Sequence, residues 1–187
     1  MKFDELMYEK IKNTIQKWPE DICRDIYAIS FFIYDEEDDP RYPTLTLGYN
    51  TNEQLKSVTS RYSDAEEAKW NYAFWLGNVE AVVGDKSDAP LRERWIRGLG
   101  LWYEDDMFDD DFDRTLQLDE VITKKFVELA VSVSRKLHAA GVIEKQFSRQ
   151  IPILIHEYEY YDEIARQNER ANPSEIIKEF VTWVDEF

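Results

Sequence analysis

Residues 26–34 read Ile-Tyr-Ala-Ile-Ser-Phe-Phe-Ile-Tyr, and this run constrains the fold more than any other. In an extended chain Ile26, Ala28, Phe32 and Tyr34 fall on one face, and Tyr27, Ile29, Phe31 and Ile33 on the other. Both faces are apolar, so a strand here must be covered on both sides. Its β-branched and aromatic content suits a strand, and it stops abruptly at Asp35, Glu36, Glu37, Asp38, Asp39 and Pro40. A central strand is expected.

Residues 43–49 alternate Leu45, Leu47 and Tyr49 against Thr44, Thr46 and Gly48, the pattern of a half-exposed strand that pairs with the first as a hairpin. The acidic connection between them is expected to project into water. Residues 151–158 form a further apolar strand candidate, with Pro152 marking its start or an edge. Residues 72–76 are read as an extended aromatic segment.

Helical spacing dominates the rest. Phe3, Leu6, Met7, Ile11, Ile15 and Trp18 lie on one stripe ahead of Pro19. Thr51 with Gln54, and Ser63 with Glu66, fit capping boxes that open helices. Pro90 suits the first turn of a helix carrying Leu91, Trp95 and Ile96. The longest pattern, residues 118–140, places Val121, Ile122, Phe126, Leu129, Ala130, Val133 and Leu137 on one face and ends at Gly141. Residues 161–171 read as helical, and a last helix after Asn172 and Pro173 turns Ile176, Ile177, Phe180, Val181 and Val184 inward. The expectation is an α+β fold: a small, mostly antiparallel sheet covered by several helices, in a single domain spanning residues 1–187.

Composition limits function. A net charge of −16 repels nucleic-acid phosphates and anionic lipid heads, which argues against nucleic-acid binding. No apolar run reaches the ~20 residues of a membrane span, and the first residues lack the pattern of a signal peptide, so the expected location is cytoplasmic. The lone cysteine, Cys23, is expected to be a buried small hydrophobe.

No phosphate loop, dinucleotide fingerprint or nucleophile signature occurs, and no catalytic residue is assigned. Residues 109–120 match a calcium loop in part. Asp109, Asp111, Asp113 and Glu120 stand at the first, third, fifth and twelfth positions, and Leu116 could pack inward, although Arg114 occupies the place where that loop needs glycine. His138 is read as a favourable charge near a helix C-terminus. His156 falls on the strand face opposite Glu157 and Glu159. Most tryptophans are expected in the core. Trp102 and Tyr103, directly before an acidic run, are instead candidate anchors for a partner.

The 26–31 strand, the Asn50-Thr51 helix start, the pair Trp70 and Trp75, and Ala171-Asn172-Pro173 before the last helix together resemble an uncharacterised bacterial family of small acidic domains of unknown function. In size and acidity such domains are similar to immunity proteins of bacterial toxin systems. The expected function is an acidic protein-binding module, of the kind that neutralises a basic toxin. Its partner-binding residues would be Asp35, Glu36, Glu37, Asp38, Trp102, Tyr103, Asp109, Asp110, Asp111 and Asp113. A calcium-binding protein using Asp109, Asp111, Asp113 and Glu120, or an enzyme with no recognisable motif, are the alternatives.

Overall fold

A computed structural model of the chain describes residues 1–59, 61, 64–157 and 162–186, the side chains of 108 and 109 excepted. The doubly apolar run forms β1 (Ile26–Asp35), which pairs antiparallel with β2 (Pro43–Thr51); β2 in turn pairs antiparallel with the short β3 (Ala81–Val83). On its other side β1 pairs parallel with β4 (Ile153–His156), giving the order β3-β2-β1-β4. The fold is α+β as expected, and the sheet is mostly antiparallel: two of its three pairings are antiparallel and one, β1 with β4, is parallel. β3 carries too few residues for alternation to show in the sequence.

Helices cover both faces. Ile29, Phe31 and Ile33 share a core with Leu45, Leu47, Ile153 and Ile155. Over it lie α1 (Phe3–Ile15), α7 (Phe112–Ala139) and α8 (Val142–Phe147). On the opposite face Ala28 and Leu154 pack beneath Trp70 of α4 (Ala65–Trp70), Ile164 of α9 (Asp162–Ala171), and Phe180 and Trp183 of α10 (Ser174–Glu186). A register shift between Ile26 and Ala28 departs from simple alternation: Ile26 joins the first core and Tyr27 the second. The remaining helices are α2 (Glu20–Asp25), α3 (Asn52–Thr59), α5 (Ala89–Gly98) and α6 (Asp106–Asp110). No helix among the described residues is long and apolar enough to cross a membrane.

Several local expectations hold. Thr51 Oγ1 accepts the Gln54 amide at 3.2 Å, half of the expected capping box, while the Gln54 side chain donates to Phe74 O at 3.1 Å instead of reaching back; Pro90 lies in the first turn of α5, and Gly141 takes the left-handed conformation (φ +68°) just beyond α7. Cys23 is buried. At α4 the cap is Asp64, whose carboxylate accepts from Glu66 and Glu67; Ser63 lies outside the described residues, as do Tyr158 and Tyr161 at the ends of their segments.

Others are corrected. α7 starts six residues before the expected 118, because Asp111 caps it through the Arg114 amide. Residues 72–74 form a 3₁₀ turn rather than an extended segment, since Asn71 Oδ1 accepts the Ala73 amide and holds the chain in a turn. His138 is buried between Gln150 and Asn172. Its Nε2 faces Asn172 Oδ1 at 3.2 Å, an oxygen already fixed by the Ile153 amide. Nε2 therefore carries the proton, and burial holds the ring below its ordinary pKa against the pull of both amides. His138 thus braces α7 from within the fold, between Gln150 and Asn172, rather than standing as an exposed helix-end charge.

β4 is an edge strand, yet its edge is closed by side chains of α9 and the residue that follows it. Asn168 accepts from Ile155 N (2.8 Å) and donates to Ile155 O (2.7 Å); Asn172 does the same for Ile153 at 2.8 and 2.9 Å. Gln167 adds a second donor to Ile155 O at 2.9 Å. Amides spaced for one helical face thus stand in for a fifth strand. Asn168→Ala, which leaves the buried Ile155 amide without a partner, should cost about 2–4 kcal/mol, read as a lower urea midpoint at unchanged slope. A loss under 0.5 kcal/mol would mean that water replaces the ladder.

Candidate functional site: an acidic face at the ends of β1 and β4

Because β1 and β4 are parallel, their C-terminal ends emerge side by side: Asp35 closes β1 and Glu157 follows β4. Beyond Asp35 the chain makes a tight 3₁₀ turn over Glu36–Asp38, with Glu37 and Asp38 at φ +61° and +56°. Two non-glycine residues in this region cost on the order of 1 kcal/mol each. The turn is shut by hydrogen bonds from Glu36 N to Tyr42 O (3.0 Å) and from Tyr42 N to Asp39 O (2.8 Å).

Arg41, the first cation after the acidic run, holds this turn. Its guanidinium grips Asp39 through Nε and Nη2 (2.6–3.1 Å), pairs with Asp105 at 2.7 Å, and donates to Tyr103 O at 3.1 Å. It is 9% exposed and stacks 4.5 Å from the Tyr103 ring centre. A second buried cation, Arg92 of α5, donates to Gly84 O and lies 3.6 Å from Glu36 and 5.0 Å from the Tyr42 ring centre. The two arginines fold the acidic turn against the body. Glu37 and Asp38 stay exposed, while Asp35, Glu36 and Asp39 are half-buried, so the connection projects into water only at its tip.

Tyr103 is not a surface anchor. It is 6% exposed and donates its hydroxyl to Asp119 of α7 at 2.5 Å, and burial with the neighbouring carboxylate pushes the phenol's pKa well up. Burial also raises Asp119, against the lowering effect of that hydrogen bond. The sequence hides this because Tyr103 meets Arg41 and Asp119 only through the fold. Trp102 is half-buried, donates to Glu104 at 3.0 Å, and carries Arg97 over its ring at 4.6 Å.

Asp39, Arg41, Tyr103, Asp105 and Asp119 line one cleft of about 360 Å³ together with the tip of the turn. The two acidic stretches singled out in the sequence therefore meet, and they do so through Asp105 and Asp119. Asp110 and Asp113 are exposed on α6 and the first turn of α7; Asp111 caps α7, and the Asp109 side chain is outside the description. Residues 109–120 consequently run as two helices with a one-residue break at Asp111. Leu116 is 48% exposed, and Glu120 lines a separate groove between α7 and α9. Among the described residues no group of three or more His, Cys, Asp or Glu side chains is placed to hold a metal ion.

Asp35 is the electrostatic centre of the face. Burial first, then Glu157, Asp39 and Asp119, push its pKa up from 3.8 to about 6, with Arg92 opposing. Its buried Oδ1 has no hydrogen-bond partner among the described residues. On the neighbouring strand His156 is fully enclosed: it shares a 2.8 Å hydrogen bond with Ser30 and packs against Tyr72 at 4.3 Å between ring centres. Desolvation lowers its pKa to about 4. Enclosed in this way, Ser30 and His156 are a packing pair without access to substrate.

No protein-family model matches this chain, and neither a curated protein nor a solved structure matches it.

The two titrations oppose each other. With a folded pKa raised to about 6, Asp35 contributes stability in full below 3.8 and loses it as pH climbs through 6. His156, depressed from 6.5 to about 4, contributes above 6.5 and loses that as pH falls through 4. Asp35→Asn should therefore stabilise the protein by about 2 kcal/mol at pH 7.5, with the gain fading as pH falls through 6 and lost below 3.8. Urea unfolding at both pH values checks this, and a gain independent of pH would rule out a charged, strained Asp35.

Proposed function

We propose that this chain is an acidic protein-binding module that engages a basic protein, as an immunity protein does when it masks a cationic toxin. The observation that carries this reading is the convergence of two sequence-distant acidic stretches on one face. Arg41 neutralises the inner carboxylates and ties Asp39 to Asp105, leaving Glu37, Asp38 and the 89%-exposed Asp105 side chain directed at solvent. A set of carboxylates gathered on one face of a chain of net charge −16 would steer a positive surface. A protein shaped to hold phosphate presents such a surface. The module would block it by occupancy, without catalytic residues of its own, and a cytoplasmic setting fits that role. Trp102, beside this face and half-buried, is the proposed anchor in place of the pair expected from the sequence.

Charge and anchor should separate kinetically. The triple variant Glu37→Gln, Asp38→Asn, Asp105→Asn should slow association with the captured partner at least tenfold at low salt and flatten its salt dependence, with dissociation nearly unchanged. Trp102→Ala should instead speed dissociation, at a cost of about 2 kcal/mol. Surface plasmon resonance across a salt series reads both. An association rate indifferent to salt and to the triple variant, or no basic partner captured at low salt, would overturn the proposal.

A further inference from the structure

We propose that a second site, a cleft between α1, α5 and α7 remote in sequence from the acidic turn, binds a small apolar molecule carrying one carboxylate. Its volume is about 550 Å³, within the roughly 300–1,000 Å³ of small-molecule sites. Phe3, Leu91, Trp95 and Leu129 wall it. The wall is rigid, because Trp95 packs 5.7 Å from Phe3 and 6.2 Å from Phe126, itself fully buried.

Gly98 keeps the cleft open. It lies in the last turn of α5 and lines the cleft, and a Cβ built on it would meet nothing within 4 Å. Its φ is not in the left-handed region that would require glycine. A side chain at this exposed position thus has open space ahead of it, and the indole N–H of Trp95 on the same helix has no hydrogen-bond partner among the described residues.

The rim selects the ligand's charge. Lys2 and Arg94 line the cleft, and neither is in an ion pair with another described residue. On a chain with 39 acidic and 23 basic residues, two unpaired cations at one apolar cleft run against the surrounding surface. A guanidinium fork matches a carboxylate. Asp4, also at the rim, disfavours a doubly charged phosphate. A protein partner is the poorer fit: of the exposed large hydrophobics among the described residues only Met1 and Leu99 lie here, too little for the ~800 Å² per partner of a stable interface.

Titration calorimetry with decanoate below its micelle-forming concentration, alongside decyl phosphate and decyltrimethylammonium, tests the assignment on the full chain. Decanoate should bind once per chain, at least tenfold tighter than either analogue. Arg94→Gln should weaken it about tenfold, and Gly98→Phe should abolish it while the unfolding midpoint stays unchanged or rises. Absence of saturable binding, equal affinity for the cationic analogue, or tighter binding of decyl phosphate would overturn the proposal. So would a dimer in sedimentation that Gly98→Phe disperses, since a second copy would then be the occupant. Lys2→Gln, at an exposed position, keeps the test independent of how Gly98→Phe folds, and undiminished affinity in both Lys2→Gln and Arg94→Gln would also overturn it.

Discussion

The acidic face depends on one guanidinium. Arg41 is buried against Asp39 and the Tyr103 carbonyl and reaches out to the exposed Asp105, and without it the half-buried Asp39 would lose the cation that neutralises it. Removing the buried cation from such a pair is destabilising, because the half-buried carboxylate is left uncompensated. Bidentate geometry on Asp39 and stacking on Tyr103 make arginine, rather than lysine, the residue suited to this place. The same contacts that cancel the inner carboxylates hold the outer ones apart from the body, so neutralisation inside and presentation outside have a single cause.

Sheet topology brings the parts of that face together. A strand buried on both sides must lie inside the sheet, and the 28-residue α7, roughly 42 Å long, carries the chain back across it so that β4 runs parallel to β1. Parallel strands release their ends on the same side. Asp35 and Glu157 meet for that reason, and burial first, then the repulsion of Glu157, Asp39 and Asp119, raises Asp35. The far edge of β4 stays closed because the amides of Asn168 and Asn172 take over the hydrogen bonds a further strand would supply.

Periodicity made the helices and the first hairpin legible, since burial of one stripe or one face is a local property of spacing. It could not reveal β3, whose three residues are too few to alternate, nor the direction of β4, which depends on the length of the helices before it. The two acidic stretches were visible as composition. Their meeting was not: it rests on Arg41 reaching Asp105 across 64 positions, and a single arginine following a run of acids reads in sequence as one surface charge. Tyr103 was misplaced for the same reason, because an aromatic beside acids looks like an anchor until a distant Asp119 accepts its hydroxyl proton. Gly98 and Arg94 give no signal at all without the helices that surround them.

If Arg41 couples the turn to the segment before α6, losing it should loosen both at once. Amide hydrogen exchange on Arg41→Gln, compared with the native chain at the same pH, measures this directly. Tyr42 in the turn and Met107 in α6, whose amides are bonded to Asp39 O and Glu104 O, should lose protection together while the amides of β1 between Ile29 and Ile33 keep theirs. Loss confined to one of the two segments, or no loss in either, would contradict the claim that one guanidinium assembles the acidic face.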